Sequence, residues 1–312
     1  MKVSSFLPAV THMIYDLNLQ HLLDGITFEC PPKALAEKQV VVRCVLEGKN
    51  YTSIEIDRIF SASKAEGRSL YYVEDARLQS IEPDIIFTQD VCEVCQIDTE
   101  CTARAVAKLE KKPQIIPISP ESLQDVLDSV ITIAKALGHE EAGYTFLADI
   151  MKRLDTITDK LREKRAPLKR VSLLEWLDPI YNCGHWIPHQ LGYAGGIDML
   201  SNPSGDSIVI QWEKIAKYDP EVIIIAPCGF DVNRTAEDLG ILTNRKEWNS
   251  LQAVQNNAVY LADFDLFTQP SLGTIIEGIE LLAALINPDI FEVPAHLAHK
   301  FAPMHKLQKV TS

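Results

Sequence analysis

The chain reads RLQSIEPDII over residues 77–86, and a related stretch, EKIAKYDPEVII, occupies residues 213–224. In each stretch an amphipathic segment leads to an acidic residue, a proline, a second acidic residue and an apolar run. Because proline lacks a backbone N–H and disrupts a helix, it marks a boundary between two elements. Both stretches therefore predict a short helix, a tight turn and a buried strand, and their recurrence predicts two similar lobes.

The starts of the two predicted lobes also resemble each other. Residues 2–4, KVS, are echoed by residues 170–172, RVS, and each triplet opens an apolar run that ends in a loop with a proline. Apolar runs without alternation are typical of strands buried on both faces of a parallel sheet. The fold class that we predict is therefore α/β, with two Rossmann-like lobes that contain parallel sheets. Strands are predicted at Val3–Pro8, Val40–Val45, Asp84–Phe87, Gln114–Ile118, Arg170–Leu174, Val222–Ala226 and Val259–Leu261.

Residues 121–165 contain no proline and carry apolar side chains at helical spacing. The first half predicts a lobe helix with Ser119 or Ser122 near its start. The second half, about Ala142–Lys164, predicts one helix of about 35 Å that either connects the lobes as a stiff backbone or packs inside one domain. We expect lobes at 1–138 and 168–292, a connector at 139–167 and a tail at 293–312.

Composition limits the possible partners. The 312 residues carry a formal net charge of −13, which disfavours nucleic acid and anionic lipid surfaces. Apolar runs are far shorter than the roughly 20 residues that a membrane-spanning helix needs, so we expect no membrane insertion. No secretory leader precedes the first predicted strand. The sequence as given predicts a cytoplasmic protein, or a periplasmic one if an export signal has been trimmed.

Two groups of residues follow predicted strands, where open α/β folds place their ligands. Cys92 and Cys95 form a Cys-x-x-Cys pair after the strand Asp84–Phe87, although a structural zinc site would need further ligands. Residues 175–186 contain aromatic and acidic side chains together with His185, a side chain able to coordinate cobalt or iron. These patterns predict a ligand site and leave metal binding by Cys92, Cys95 and His185 as a further hypothesis.

The chain resembles the class III periplasmic binding proteins, in which one backbone helix joins two lobes and which bind cobalamin, haem and ferric siderophores. The resemblance covers nearly the whole chain, and its general part rests on Val3–Thr11, Gly25–Pro32, Glu82–Asp84 and Gly195–Gly196. Its specific part is similarity to a branch of cobalamin-binding or iron-complex-binding proteins, through Thr88–Cys95, Glu175–Pro179 and Gly184–Pro188.

The resemblance implies a small-molecule ligand held in a cleft between the lobes, and possible docking to the permease of an ABC importer. Glu213 matches the second docking position of such proteins, whereas Ala76 stands at the first. Phe28 occupies a place where the branch usually has histidine. The ligand-binding residues that we predict are Phe28, Glu29, Cys30, Asp90, Cys92, Cys95, Glu175, Trp176, Asp178, Tyr181, His185, Trp186 and Phe267.

The predicted function is non-covalent binding of a metal chelate, most of all a corrinoid such as cobalamin or cobinamide, or a ferric chelate. The protein would serve either as a transport-type substrate-binding protein or as a cytoplasmic carrier. The alternative is a metal-dependent enzyme or metal sensor that uses the cysteines and His185. Because the sequence has no Gly-x-Ser-x-Gly, Gly-rich phosphate loop or His-Glu-x-x-His motif, we expect that it is not an enzyme.

Overall fold

The computed structural model describes residues 1–66, 68–89 and 99–307. The chain divides into two compact units. Unit 1 contains Met1–Pro120 and Leu127–Leu147, and unit 2 contains Glu121–Val126 and Ala148–Ser312.

In the described part of unit 1, six strands form one sheet in the order β4-β3-β2-β1-β5-β6. Neighbouring strands run parallel, except that β3 and β4 are antiparallel. A short 3-10 helix, Gln20–Leu22, precedes β2. The elements are β1 (Val3–Ser5), α1 (Pro8–Asp16), β2 (Leu23–Thr27), α2 (Pro32–Glu37), β3 (Gln39–Cys44), α3 (Ser53–Ala65), β4 (Tyr71–Val73), α4 (Asp75–Ile81), β5 (Ile85–Thr88), α5 (Thr99–Ala107) and β6 (Gln114–Pro117).

Two helices follow β6, and the division between the units falls inside both of them. They are α6 (Leu123–Ala136) and α7 (Glu140–Glu163). Ser122 begins α6, because its hydroxyl accepts the backbone N–H of Asp125 (3.2 Å) while the Asp125 carboxylate accepts the N–H of Ser122 (2.8 Å). The single long helix predicted from the sequence is thus confirmed as α7, a continuous run of 24 residues.

Unit 2 contains a mixed sheet of seven strands in the described chain, in the order β12-β8-β7-β13-β14-β15, with β10 also paired to β7. A separate pair joins β9 and β11. Single 3-10 turns lie at Trp248–Ser250, Phe264–Leu266 and Ala295–Leu297. The elements are β7 (Lys169–Leu177), β8 (Ile180–Asn182), β9 (Gly184–His185), α8 (Ile187–Tyr193), β10 (Gly196–Ile197), β11 (Asn202–Pro203), β12 (Ile208–Val209), α9 (Trp212–Tyr218), β13 (Val222–Ile225), α10 (Val232–Glu237), α11 (Gly240–Thr243), α12 (Gln252–Gln255), β14 (Val259–Ala262), α13 (Leu272–Ile286), β15 (Phe301–Pro303) and α14 (Met304–Leu307).

The repeated sequence stretch folds in the same way in both units. Glu82 (φ 49°) directly follows α4 and Asp219 (φ 48°) directly follows α9, each in the left-handed region and each followed by proline. The next acidic side chain then accepts a backbone N–H from the start of the neighbouring strand. Asp84 accepts from Lys2 (2.8 Å), and Glu221 accepts from Arg170 (2.9 Å). The predicted internal repeat is therefore confirmed at the level of single hydrogen bonds.

The strand pairing extends this repeat into the cores. Ser4 of β1 pairs with Ile86 of β5, and Ser172 of β7 pairs with Ile223 of β13. Both isoleucines are buried, as is the whole of β13. The predicted α/β class with parallel strands buried on both faces is thus confirmed.

Some elements differ from the sequence prediction. The first strand is shorter than Val3–Pro8, because Pro8 begins α1 at the position where helices tolerate proline best. The predicted tail contributes β15, which pairs antiparallel with β14. No helix within the described ranges is both long and apolar enough to span a bilayer.

Candidate functional site

Three segments of unit 2 follow the carboxyl ends of β7, β13 and β14 and contact one another. They span residues 175–186, 226–231 and 263–271, and together we call them the unit-2 carboxyl edge. The backbone N–H of Cys228 donates to the carbonyl of Glu175 (3.0 Å), and that of Phe264 donates to Phe230 (3.1 Å). Predicted site residues from two separate stretches of sequence therefore lie on one edge of one sheet.

An aromatic surface occupies the first part of this edge. Trp176 is partly buried, and its ring lies 5.2 Å from the ring of Phe230, tilted by 49°. The guanidinium carbon of Arg234 lies 4.3 Å from the centre of the Phe230 ring, close enough for a cation–π interaction. The Trp176 indole N–H donates to the carbonyl of Asp178 (3.2 Å), which fixes the ring direction. Tyr181 pairs with Trp176 across the β7–β8 hairpin.

His185 lies beside Trp186, with ring centres 5.4 Å apart and nearly stacked. The His185 side chain is 32% exposed, and its Nε2 is 3.9 Å from a carboxylate oxygen of the exposed Asp206. Its Nδ1 is buried and has no hydrogen-bond partner in the described chain. Trp186 is buried, and its indole N–H donates to the carbonyl of Phe267 (2.6 Å). His185 therefore stands on a rigid indole support with Nε2 on its accessible side.

Glu175 is partly buried and uses both carboxylate oxygens inside the edge. One oxygen accepts the backbone N–H of Gly184 (3.2 Å), and the other accepts the hydroxyl of Ser207. Burial raises the pKa of Glu175 to about 7, and these two hydrogen bonds oppose the rise. In the described chain no cation forms an ion pair with this carboxyl group, so it titrates close to neutral pH.

A second carboxyl group, Asp198, is buried and contacts the same edge. It accepts hydrogen bonds from the backbone N–H groups of Leu173 (3.1 Å) and Leu200 (2.9 Å) and from the side chain of Asn182 (3.2 Å). Burial raises the pKa of Asp198, and burial also raises the pKa of the adjacent Cys183 thiol well above its usual range. Cys183 is therefore a protonated, buried thiol within the edge.

The residues predicted in unit 1 follow β2. Phe28 packs against Tyr71, with ring centres 6.4 Å apart, and Glu29 is exposed. Cys30 is buried, and its thiol donates to the hydroxyl of Thr11 (3.2 Å). Burial raises the pKa of Cys30 to about 12, so that the thiol keeps its proton at physiological pH. Phe28 and Cys30 thus pack in unit 1, and their contact with a ligand stays a prediction.

Three predicted residues, Asp90, Cys92 and Cys95, lie outside the described residues. Within the described ranges, no group of three or more His, Cys, Asp or Glu side chains is arranged to hold a metal ion. The hypothesis that Cys92, Cys95 and His185 bind a metal therefore stays a prediction.

Phe267 and Glu213 have different surroundings from the aromatic surface. Phe267 is 0% exposed, so its side chain belongs to the unit-2 interior while its carbonyl holds Trp186. Glu213 is exposed in the first turn of α9. The sequence prediction missed Phe230 and Ser207. Phe230 could have been found, since it closely follows the apolar run Val222–Ala226, but no local pattern marks Ser207 as a partner of Glu175.

Comparison with known proteins identifies the broader relationship. The sequence model of the periplasmic binding protein family matches residues 73–266, which is more than half of the chain. A comparison with curated proteins finds no match.

Solved structures share the fold over nearly the whole chain. A periplasmic haem-binding protein from Pseudomonas aeruginosa has a TM-score of 0.68 at 14% identity, with 93% of each chain covered. A periplasmic binding protein from Veillonella parvula has a TM-score of 0.67 at 17% identity, covering 92% of this chain and 91% of that one. The periplasmic vitamin B12-binding protein BtuF of Vibrio cholerae has a TM-score of 0.58 at 18% identity, covering 92% of this chain and 96% of that one.

Proposed function

The chain belongs to the periplasmic binding protein family, and on that premise we propose that it captures a metal chelate at the unit-2 carboxyl edge. The ligand class that we favour is a corrinoid, such as cobalamin or cobinamide, with haem or another ferric chelate as the other member of the class. Binding is non-covalent, and the residues predicted in unit 1 are further candidate contacts.

The observation that carries this proposal is the pairing of an aromatic surface with an accessible imidazole on one edge of a sheet. Trp176, which is partly exposed and packs against the buried Phe230, offers apolar area of the kind that suits a flat macrocycle or its side chains. His185 offers Nε2, a nitrogen of the type that coordinates iron and cobalt. Haem and vitamin B12 are also the ligands named for two of the similar structures.

A titration tests the proposal. The purified chain is titrated with dicyanocobinamide, cyanocobalamin, hemin and ferrichrome while visible absorbance and tryptophan fluorescence are recorded. We expect at least one chelate to bind with a micromolar or lower Kd. Trp176→Ala should weaken that binding by roughly tenfold, the loss of about 1.4 kcal/mol of aromatic contact. Tyr144→Ala removes an exposed aromatic ring from α7 and serves as the control. Binding no tighter than millimolar for all four chelates contradicts the proposal.

The spectrum also tests direct coordination by His185. If the imidazole binds the metal of hemin or an aquo-corrinoid, the wild-type complex shows a shifted visible band that His185→Ala lacks. His139→Ala removes an exposed histidine elsewhere and should leave the band unchanged. An identical spectrum for His185→Ala would limit His185 to packing and hydrogen bonding.

The partner follows from the family but needs its own test. We propose that a ligand-loaded protein docks to an importer permease through the exposed Glu213. The alternative is a cytoplasmic carrier that uses the same edge. N-terminal sequencing of the protein recovered from fractionated native cells separates these two roles, because an exported protein is recovered outside the cytoplasm with a processed start.

A further inference from the structure

We infer that Glu175 is a positioning residue whose carboxyl group ties the segment 202–207 to β9 and so fixes His185, and that this tie loosens when the carboxyl group loses its proton. The inference rests on the proposed ligand site, since it concerns the control of that site. It assigns Glu175 a role other than the direct ligand contact that the sequence predicted.

The tie is visible as a set of close contacts around β9. The backbone N–H of His185 donates to the carbonyl of Gly205 (2.6 Å), and the N–H of Ser204 donates to the carbonyl of His185 (2.9 Å). A Cβ atom on Gly184 would lie only 2.4 Å from the carbonyl oxygen of Gly205, so a side chain there would push the two segments apart. The position of His185 therefore depends directly on where the segment 202–207 lies.

Glu175 is the side chain that bridges the two segments. Its carboxyl oxygens accept from Gly184 at the start of β9 and from Ser207 at the end of the segment. Because both oxygens point to protein partners, the group holds the edge together without needing to contact a ligand.

Burial favours the protonated form of Glu175, whereas its two hydrogen bonds favour the charged form. Among the described residues, no cation forms an ion pair with this carboxyl group. The titratable side chains on the elements around it are Tyr181 on β8, Cys183 before β9, His185 on β9, Asp198, Asp206 on the segment 202–207, Asp178 after β7 and Cys228 after β13.

Proton loss leaves a negative charge that is partly buried and held by only two hydrogen bonds. Burial accordingly raises the pKa of Glu175 to about 7. If the segment 202–207 lifts away, the carboxylate reaches water and its pKa returns towards the ordinary value. By linkage, the closed arrangement must become less favoured as pH rises through 7.

Hydrogen exchange of the whole, ligand-free chain tests this tie. We expect the amides of His185 and Ser204 to exchange roughly tenfold faster at pH 8 than at pH 6, after correction for the intrinsic rate. We call this increase between pH 6 and pH 8 the exchange step. The amides of β13 serve as an internal control and should show no exchange step. Glu175→Gln, which keeps an acceptor and a donor but cannot titrate, should abolish the step.

Ser207→Ala supplies a second variant with a different signature. The Ser207 hydroxyl lowers the pKa of Glu175, so its removal should move the exchange step to higher pH. An unchanged step in Glu175→Gln, or the same step in β13, would overturn the inference. Both variants retain the backbone contacts of the segment, so the inference does not depend on one variant folding.

Affinity measurements with hemin and dicyanocobinamide separate this inference from the proposed function. Glu175→Ala removes the acceptor of both hydrogen bonds and should weaken binding by about tenfold, while Glu175→Gln should restore it. An exchange step together with binding no tighter than millimolar for all four chelates of the titration would contradict the proposed function and leave the tie standing. Binding that is equal in wild type and Glu175→Ala would overturn the positioning role while the proposed function stands.

Discussion

At the amino ends of β5 and β13 the two units use the same arrangement of a left-handed residue, a proline and an acidic side chain. Asp84 accepts the backbone N–H of Lys2, and Glu221 accepts that of Arg170. The carboxyl ends differ. Unit 2 presents Trp176 and His185 there, whereas the described residues after β2 in unit 1 are largely packing groups such as Cys30.

This contrast separates structural from functional residues. The shared amino-end arrangement pins each central strand to its neighbour, so both units need it to fold. The unit-2 carboxyl edge carries side chains that folding alone does not require. They include a partly buried carboxyl group that forms no ion pair with a described cation, and an imidazole that is 32% exposed. We therefore expect substitutions at the amino ends and in the cores to lower stability in both units alike, and substitutions at the unit-2 carboxyl edge to change binding.

The largest effect should come from the two equivalent core isoleucines. Ile86→Ala and Ile223→Ala each remove buried methyl groups beside a serine of the neighbouring strand. Each should lower the free energy of unfolding by about 3 kcal/mol, measured by urea denaturation with circular dichroism. Ile115→Ala, at a side chain 38% exposed, is the control and should cost far less. A loss below 1 kcal/mol for one isoleucine alone would show that the two cores are not equivalent.

The next effect should depend on pH. Because the pKa of Glu175 is raised from 4.5 to about 7, its contribution to stability is full below about pH 4.5 and is lost as pH rises through 7. Glu175→Gln cannot titrate and so avoids this loss. The unfolding free energy of the variant minus that of wild type should therefore rise by about 2 kcal/mol between pH 5 and pH 8. Urea denaturation at several pH values measures the difference. Glu213→Gln, at an exposed site, is measured alongside for comparison, and a pH-independent difference for Glu175→Gln would refute the titration assigned to Glu175.

A smaller, matched loss is expected at the amino ends. Asp84→Ala and Glu221→Ala each remove one acceptor of a backbone N–H, and each should lower the unfolding free energy by about 1 kcal/mol. Asp84→Asn keeps an acceptor and should lose less. Neither alanine variant should change chelate affinity. A change in affinity at either position would break the separation between the two ends of the sheet.

The smallest effect on stability should come from the carboxyl edge itself. Trp176 is partly exposed and its ring packs against Phe230, so Trp176→Ala should cost no more than about 1 kcal/mol of unfolding free energy. The same variant should give the greatest loss of chelate binding among these substitutions. Thermal denaturation and the chelate titration on one preparation measure both quantities, and a large loss of stability would assign Trp176 to the core instead.

Much of the fold could be predicted from the sequence because its signals are local. The acidic-Pro-acidic turns and the continuous apolar runs predicted β5 and β13, and the long run without proline predicted α7. Strands of two or three residues, such as β9 and β11, carry no periodicity of their own. β2 was also missed, since Asp24 and Gly25 interrupt its apolar pattern.

The sequence predicted where the candidate site lies, but not which of its side chains are buried or which hydrogen bonds they form. A strand followed by polar and aromatic residues indicates a carboxyl edge, and this pattern predicted Trp176 and His185 as site residues. Burial depends on contacts distant in sequence, so the interior positions of Cys30 and Phe267 could not be seen. The same reason hides the bond between Glu175 and Ser207, which are 32 residues apart.

The four tryptophans of the chain allow one direct test of where the ligand binds. Trp176 and Trp186 lie on the unit-2 carboxyl edge, whereas Trp212 and Trp248 pack together in the unit-2 core, 6.0 Å apart. Indole N–H signals are recorded by nitrogen-15 NMR during addition of two diamagnetic chelates, dicyanocobinamide and gallium deferoxamine. A bound chelate should shift the signals of Trp176 and Trp186 and leave those of Trp212 and Trp248 unchanged. Binding of a chelate that shifts only the signals of Trp212 and Trp248 would contradict a chelate site at this edge.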